Sequence, residues 1–162
     1  MAGLKWSESH AVFVADIFDE HKDIFAAVAE LDAAATGGDL AQVQKAGERL
    51  STRMSDHFAH EERLMRAARY ESLRWHKQQH DGARKRIGAL RARIDAGESA
   101  AAAELAQYIR TWLPGHAAVA DRMMGAALRN HRLSTWKVRF EAGTKPLDSC
   151  SWVRADGEPF EP

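Results

Sequence analysis

His57 and Glu61 stand four residues apart in the chain, and so do His76 and His80. On a helix, a separation of four stacks two side chains on one face at chelating distance. Imidazole and carboxylate donors at that spacing can hold a divalent transition metal, and spacing alone does not choose among iron, zinc and copper. Two known helical metal motifs do not fit. His60-Glu61 continues to Arg63 and Leu64 without a second histidine, so this is not the H-E-x-x-H of zinc proteases. Glu61 is followed three residues on by Leu64, and Glu62 by Met65, so it is not the Glu-x-x-His pair of ferritin-like bundles either. The single cysteine, Cys150, is remote from these residues in sequence, which argues against thiolate zinc sites and iron–sulfur clusters.

The elements that must carry these donors are helices. Four stretches show a helical apolar period bounded by breakers. The first runs from about Val12 to Ala35 and ends at Gly37-Gly38; the second starts with Asp39 as N-cap and runs to about Ala68. The third runs from near Ser72 to Gly97, and the fourth from near Ser99 through Pro114-Gly115 and on to Leu128. Connections this short join antiparallel neighbours, so the expected fold is all-α, an up-down-up-down four-helix bundle. It is expected to occupy residues 1–131, with residues 132–162 as a C-terminal extension.

An alternating step of four and three residues traces the seam of each helix. It runs Ile17, His21, Ile24, Val28, Leu31 in the first and Val43, Gly47, Leu50, Met54, His57, Glu61, Leu64 in the second. In the third it runs Leu73, His76, His80, Ala83, Ile87, Leu90, Ile94, and in the fourth Leu105, Ile109, Trp112, His116, Val119, Met123. Five histidines and one glutamate therefore face the interior, from four helices. A buried carboxylate without a partner is costly, and a buried imidazole needs partners for both nitrogens. That placement calls for a metal.

Lys plus Arg is 23 and Asp plus Glu is 23, a formal net charge of zero that argues against a general nucleic-acid binder. No apolar run approaches the ~20 residues of a membrane span. Glu8, His10, Asp16 and Asp19 interrupt the start of the chain, so no signal peptide is expected. With one cysteine and hence no internal disulfide, a cytoplasmic location is expected. The third helix is basic, with Arg84, Lys85, Arg86, Arg91 and Arg93; this reads as a solvated face, with docking to an acidic partner as the alternative.

Taken in order, these residues resemble the hemerythrin family over roughly residues 4 to 128. The match includes Trp6, the D-E-H-K block holding His21, and H-F-x-x-E-E from His57 to Glu62. It continues with H-x-x-x-H at His76 and His80 and W-L-x-x-H-x-x-x-x-D from Trp112 to Asp121. The resemblance implies a non-haem di-iron site. His76, His80 and His116 would hold one iron and His21 and His57 the other, with Glu61, Asp121 and an oxo or hydroxo ion bridging them. Donor counting then gives a six-coordinate iron and a five-coordinate iron with one open position for dioxygen. Phe58, Trp112, Leu113 and Ala117 would line the ligand pocket. His116 and Asp121 are five apart, which on a regular helix separates them by ~140° of rotation. If both reach one metal pair, an irregularity is expected between about Leu113 and Arg122, with Pro114-Gly115 as the weakest point of the backbone.

Two positions depart from the family pattern. Ala117 stands where a bulkier aliphatic residue usually follows the histidine, which predicts a more accessible pocket unless Trp112, Leu113 or a neighbour fills the space. Arg69-Tyr70-Glu71 replaces a glycine-tyrosine-proline turn. Outside the motif, His60 adjoins a ligand position and is a candidate supporting group, His10 would reach the site only if the first helix began early, and His131 is expected to be solvated. The extension holds Trp136, Phe140, Cys150, Trp152 and Phe160; it is read as a packed tail, with a homodimer or partner contact as the alternative. The function expected is reversible dioxygen binding for transport, storage or sensing rather than enzymatic turnover. The histidine-rich ligand set with only two carboxylates favours binding over substrate oxidation. A di-iron peroxidase or a reductase of nitric oxide or peroxide is the alternative, and a structural or signalling module whose metal only supports the fold is a third reading.

Overall fold

In the computed structural model the described residues are 15–134. They form α1 (Ala15–Gly37), α2 (Leu40–Ala67), α3 (Leu73–Asp95), α4 (Ser99–His116), a π turn (Ala117–Asp121) and α5 (Arg122–Ser134). Each helix packs on the next, and α4 closes the ring against α1, so the expected four-helix bundle is the fold, with the fourth helix interrupted once by the π turn. No helix among the described residues is long and apolar enough to cross a membrane.

The ends of the helices follow from local chemistry. Asp39 is extended at the N-cap of α2, and its carboxylate accepts the Ala41 N–H at 3.0 Å, satisfying one of the orphan donors of the first turn. α3 ends with Gly97 at φ 87°, and the Glu98 N–H reaches back to Arg93 O at 3.0 Å, the left-handed closure that glycine adopts without steric cost. α2 closes in the same way, with Tyr70 N–H on Met65 O at 2.9 Å, but the left-handed residue is Arg69 at φ 52°. The turn that departs from the family pattern therefore keeps a glycine-type backbone with a side chain on it.

Burial follows the predicted seams as far as His116. Ile17, Ile24, Val28 and Leu31 of α1, Val43, Leu50, Met54 and Leu64 of α2, and Ala83, Ile87, Leu90 and Ile94 of α3 are buried, as are Leu105 and Ile109 of α4; Leu73 and Trp112 are only half-buried. Beyond His116 the seam moves. Val119 and Met123, expected in the core, are 54% and 49% exposed, whereas Ala120, Asp121, Met124 and Leu128 are buried. The cause is the π turn, in which Arg122 N–H bonds to Ala117 O five residues back. One extra residue is taken up there, so every later position rotates by one place. The irregularity falls inside the expected interval but not at Pro114, which α4 accommodates within its last turn.

Arg84, Arg91 and Arg93 of α3 bind Glu62, Asp95 and Glu104 respectively, so much of the basic face is neutralised within the bundle. α5 continues to Ser134, past the domain boundary expected at 131. Trp6, His10 and the rest of the C-terminal extension, with Trp136, Phe140, Cys150, Trp152 and Phe160, lie outside the described residues.

Candidate metal centre

The bundle brings seven donors together in its interior. His21 comes from α1, His57 and Glu61 from α2, His76 and His80 from α3, His116 from the end of α4, and Asp121 from the π turn. All seven are buried, His116 at 7% exposure being the most accessible. They fall into two groups that share their carboxylates: Glu61, His76, His80, His116 and Asp121 in one, and His21, His57, Glu61 and Asp121 in the other.

In the three-histidine group, His116 Nε2 lies 3.0 Å from His76 Nε2 and 3.1 Å from His80 Nε2. Glu61 Oε2 lies 3.1 Å from His80 Nε2 and 3.4 Å from His76 Nε2; Asp121 Oδ1 lies 3.0 Å from His116 Nε2 and 3.2 Å from His76 Nε2. Donors bonded at roughly 2.1 Å to one ion stand roughly 3.0 Å apart at right angles and roughly 3.4 Å apart in a tetrahedron, by plane geometry. The observed spacings, 3.0–3.4 Å, are those of donors that can share one ion. In the two-histidine group, His21 Nε2 is 3.3 Å from His57 Nε2 and 3.2 Å from Asp121 Oδ2, and His57 Nε2 is 3.9 Å from Glu61 Oε2.

All four carboxylate oxygens of Glu61 and Asp121 are buried without a hydrogen-bond partner among the described residues. Two buried carboxylates faced only by the imidazole nitrogens of the cluster carry a large desolvation cost, and a bound cation removes it. The residues present therefore fit a metal, and the cluster is a metal site.

The electrostatics of the cluster show the same demand. Burial, and then the nearby Asp121 carboxylate, push Glu61 up to about 8. Burial would raise Asp121 too, but His116, His21 and His76 outweigh it and hold that carboxyl well below its usual range. Burial pushes His57 down to about 4 and, reinforced by His76 and His116, His80 down to about 2, so both stay neutral and keep a lone pair for a metal. At His76 burial is overcome by Asp121 and Glu61, which lift it to about 9.

Aromatic rings wall the site. Phe58 stacks on His80 at 4.3 Å and 19°, and Trp112 stacks on His116 at 4.3 Å and 16°, with Phe58 and Trp112 edge-on to each other at 5.5 Å. Leu113 and Ala117 are wholly buried. His131 is half-buried rather than solvated.

Two participants were not assigned a role from the sequence. Glu20 Oε2 lies 3.0 Å from His57 Nδ1, and its Oε1 lies 2.6 Å from His60 Nδ1. Burial opposes ionisation of Glu20, but the two imidazoles hold it down at about 2. Glu62 Oε1 lies 3.3 Å from His80 Nδ1 and accepts from Arg84 at 2.8 Å, while its Oε2 accepts from Arg66 at 3.2 Å. Both glutamates directly adjoin a metal-site residue in the chain, Glu20 before His21 and Glu62 after Glu61, which was the available signal.

A helical bundle with unequal histidine groups sharing two carboxylates defines a class of metal-binding four-helix protein, and comparison with known proteins places the chain within it. The family model for the hemerythrin HHE cation binding domain matches residues 12–128. Myohemerythrin-1 of Phascolopsis gouldii is 32% identical over 117 residues, 72% of this chain and 87% of that protein. Bacteriohemerythrin of Pseudomonas aeruginosa is 31% identical over 143 residues, 88% of this chain and 93% of that protein. A solved wild-type hemerythrin superposes with a TM-score of 0.69 at 26% identity, covering 78% of this chain and 98% of that one. The chain belongs to the hemerythrin family.

Proposed function

We propose that this protein holds two iron ions and binds dioxygen reversibly. His76, His80 and His116 would hold one iron, His21 and His57 the other, and Glu61 and Asp121 would span both together with an oxo or hydroxo ion. The observation that carries this reading is the unequal division of histidines, three against two, around shared carboxylates. With both carboxylates shared, the two-histidine half offers one protein donor fewer, and a metal held there would have a position open to a small ligand. The bound iron pair would supply two transferable electrons and that open position.

The protein's own residues set the conditions for reversibility. Glu61 and Asp121, buried and faced by the imidazoles of both groups, would hold the two halves together from different parts of the fold. The rings of Phe58 and Trp112, with Leu113 and Ala117, exclude water from the ligand pocket. A pocket closed to water would deny solvation to a charged leaving group, which favours reversible binding of a small ligand. Ala117 leaves that wall thinner than a branched residue would, while Trp112 lies flat on His116 and covers it. We assign the function to the bundle, residues 1–131, and read residues 132–162 as a tail or contact arm; a cytoplasmic location remains our reading of the sequence.

The test is to load the protein anaerobically with ferrous iron, count iron per chain, and record the visible spectrum while cycling air and inert gas. Two irons with a colour change that reverses supports carrier, storage or sensor function. Steady consumption of peroxide with a reductant, without a reversible spectrum, would transfer the assignment to a peroxidase or reductase. Two metals inert to small ligands would leave the site a structural one.

A further inference from the structure

The two halves of the site differ in the support of their histidines as well as in number. His80, in the three-histidine half, has its Nδ1 3.3 Å from Glu62, and that carboxylate is neutralised by Arg84 at 2.8 Å and Arg66 at 3.2 Å. Glu62 is only 5% exposed, and Arg84 also lies over the Phe58 ring, 5.1 Å from its centroid, so this support is packed and charge-compensated. His57, in the two-histidine half, is supported differently. Its Nδ1 faces Glu20 Oε2 at 3.0 Å, and the other oxygen of Glu20 is taken by His60 Nδ1 at 2.6 Å. Glu20 is 32% exposed and His60 13%, so the chain His57, Glu20, His60 runs from the buried centre towards the surface.

Hydrogen-bond chemistry fixes the tautomers. A carboxylate only accepts, so each Nδ1 facing Glu20 carries the hydrogen and donates it. His57 Nε2 is then a bare lone pair, and it is this atom that lies 3.3 Å from His21 Nε2 in the interior. Glu20 and His57 come from α1 and α2, and His60 is three residues on from His57, so one carboxylate clamps the α2 face that presents the ligand. Holding both Nδ1–H groups needs two acceptor oxygens in one plane, which a carboxylate has and an amide lacks.

We propose that Glu20 and His60 are positioning residues that aim His57 at the two-histidine metal and govern retention of that ion alone. The proposal rests on the two-metal reading above. Outer carboxylates of this kind are worth roughly 10–100-fold in metal affinity. Here the effect should fall on one ion of the pair, because the other half has its own support in Glu62.

The experiment compares iron-loaded wild type, Glu20→Gln, Glu62→Gln, His60→Gln and His60→Ala, following release of iron to a ferrous chelator under inert gas and recording Mössbauer spectra of the partly depleted proteins. Glu20→Gln should split release into two phases, one ion leaving about tenfold faster or more, with the remaining iron giving a single Mössbauer site. Glu62→Gln should accelerate the other ion. His60→Ala should reproduce part of the Glu20→Gln effect, and His60→Gln, whose amide still donates to Glu20, should restore slow release. A merely structural role would speed both ions together in proportion to lost thermal stability. Equal acceleration of both ions by Glu20→Gln, or unchanged release, overturns the clamp while leaving the two-metal reading intact. Wild type that takes up fewer than two irons overturns that reading and the clamp with it.

Discussion

Deleting Ala118 should leave the metal centre assembled. His116 and Asp121 are five residues apart, and five steps of about 100° on a regular helix place them about 140° apart. The π turn brings both into one cluster, Asp121 Oδ1 lying 3.0 Å from His116 Nε2. Removing one residue shortens the separation to four steps, about 400°, leaving only about 40° between the side chains on a regular helix. Ala118 is exposed, so the deletion removes no core contact. It should convert the π turn to ordinary α-helix, keep Met124 and Leu128 facing inward, and retain two metals per chain.

An alanine inserted after Ala118 has the opposite consequence. α5 must then rotate by about 100° or unwind further, turning Asp121, Met124 and Leu128 away from the core. Burial of a Met or Leu side chain is worth about 1.5–3 kcal/mol, so the two apolar residues alone put about 3–6 kcal/mol at stake. That is a large part of the 5–15 kcal/mol of a typical domain. The assay is metal content by elemental analysis together with denaturant unfolding of both variants. Loss of metal in the deletion variant, or full metal content and stability in the insertion variant, would refute the account of the π turn.

Metal uptake should release protons and weaken in acid. In the metal-free protein Glu61 is raised to about 8 and His76 to about 9, so both hold protons at pH 7 that the metal must displace. Affinity should therefore rise from pH 6 towards pH 9, and calorimetry in buffers of different ionisation enthalpy should report proton release; a buffer-independent heat would contradict this. Arg69→Gly should stabilise the protein by up to about 1 kcal/mol, because a left-handed conformation costs a side-chain-bearing residue roughly 1–2 kcal/mol and glycine's greater chain entropy offsets part of the gain. Chemical denaturation measures it, and a loss of stability would mean that the arginine side chain contributes contacts of its own. Ala117→Ile should slow autoxidation of the dioxygen-loaded protein, while overpacking a wholly buried position costs about 1–3 kcal/mol. An unchanged or faster rate, with iron content retained, would show that access is controlled elsewhere.

The bundle was legible because its seams are regular and its caps are chemical. Asp39 announces the start of α2, and the four-three step carries burial from Ile17 to His116 with only Leu73 and Trp112 half-buried. The same step failed at Val119 and Met123 because a π turn is a change of backbone pairing and leaves no mark on hydrophobic period. Its trace was the conflict between the spacing of His116 and Asp121 and the pitch of a regular helix. Pro114 attracted the expected break because its ring removes a hydrogen bond, yet the helix carries that loss within its last turn, and the extra residue is absorbed just beyond. Glu20 and Glu62 were missed for a different reason. Their contacts to His57 and His80 cross between helices, over 37 and 18 residues, and no periodicity within one helix encodes them.

The central claim is a pair of irons, held by unequal histidine groups, that binds dioxygen reversibly. The most direct measurement is iron stoichiometry together with the visible spectrum of one sample taken repeatedly through air and inert gas. Two irons per chain, with an absorption band that appears in air and disappears under inert gas over several cycles, is the predicted result. One iron or none per chain, or a spectrum that does not respond to dioxygen, would contradict it.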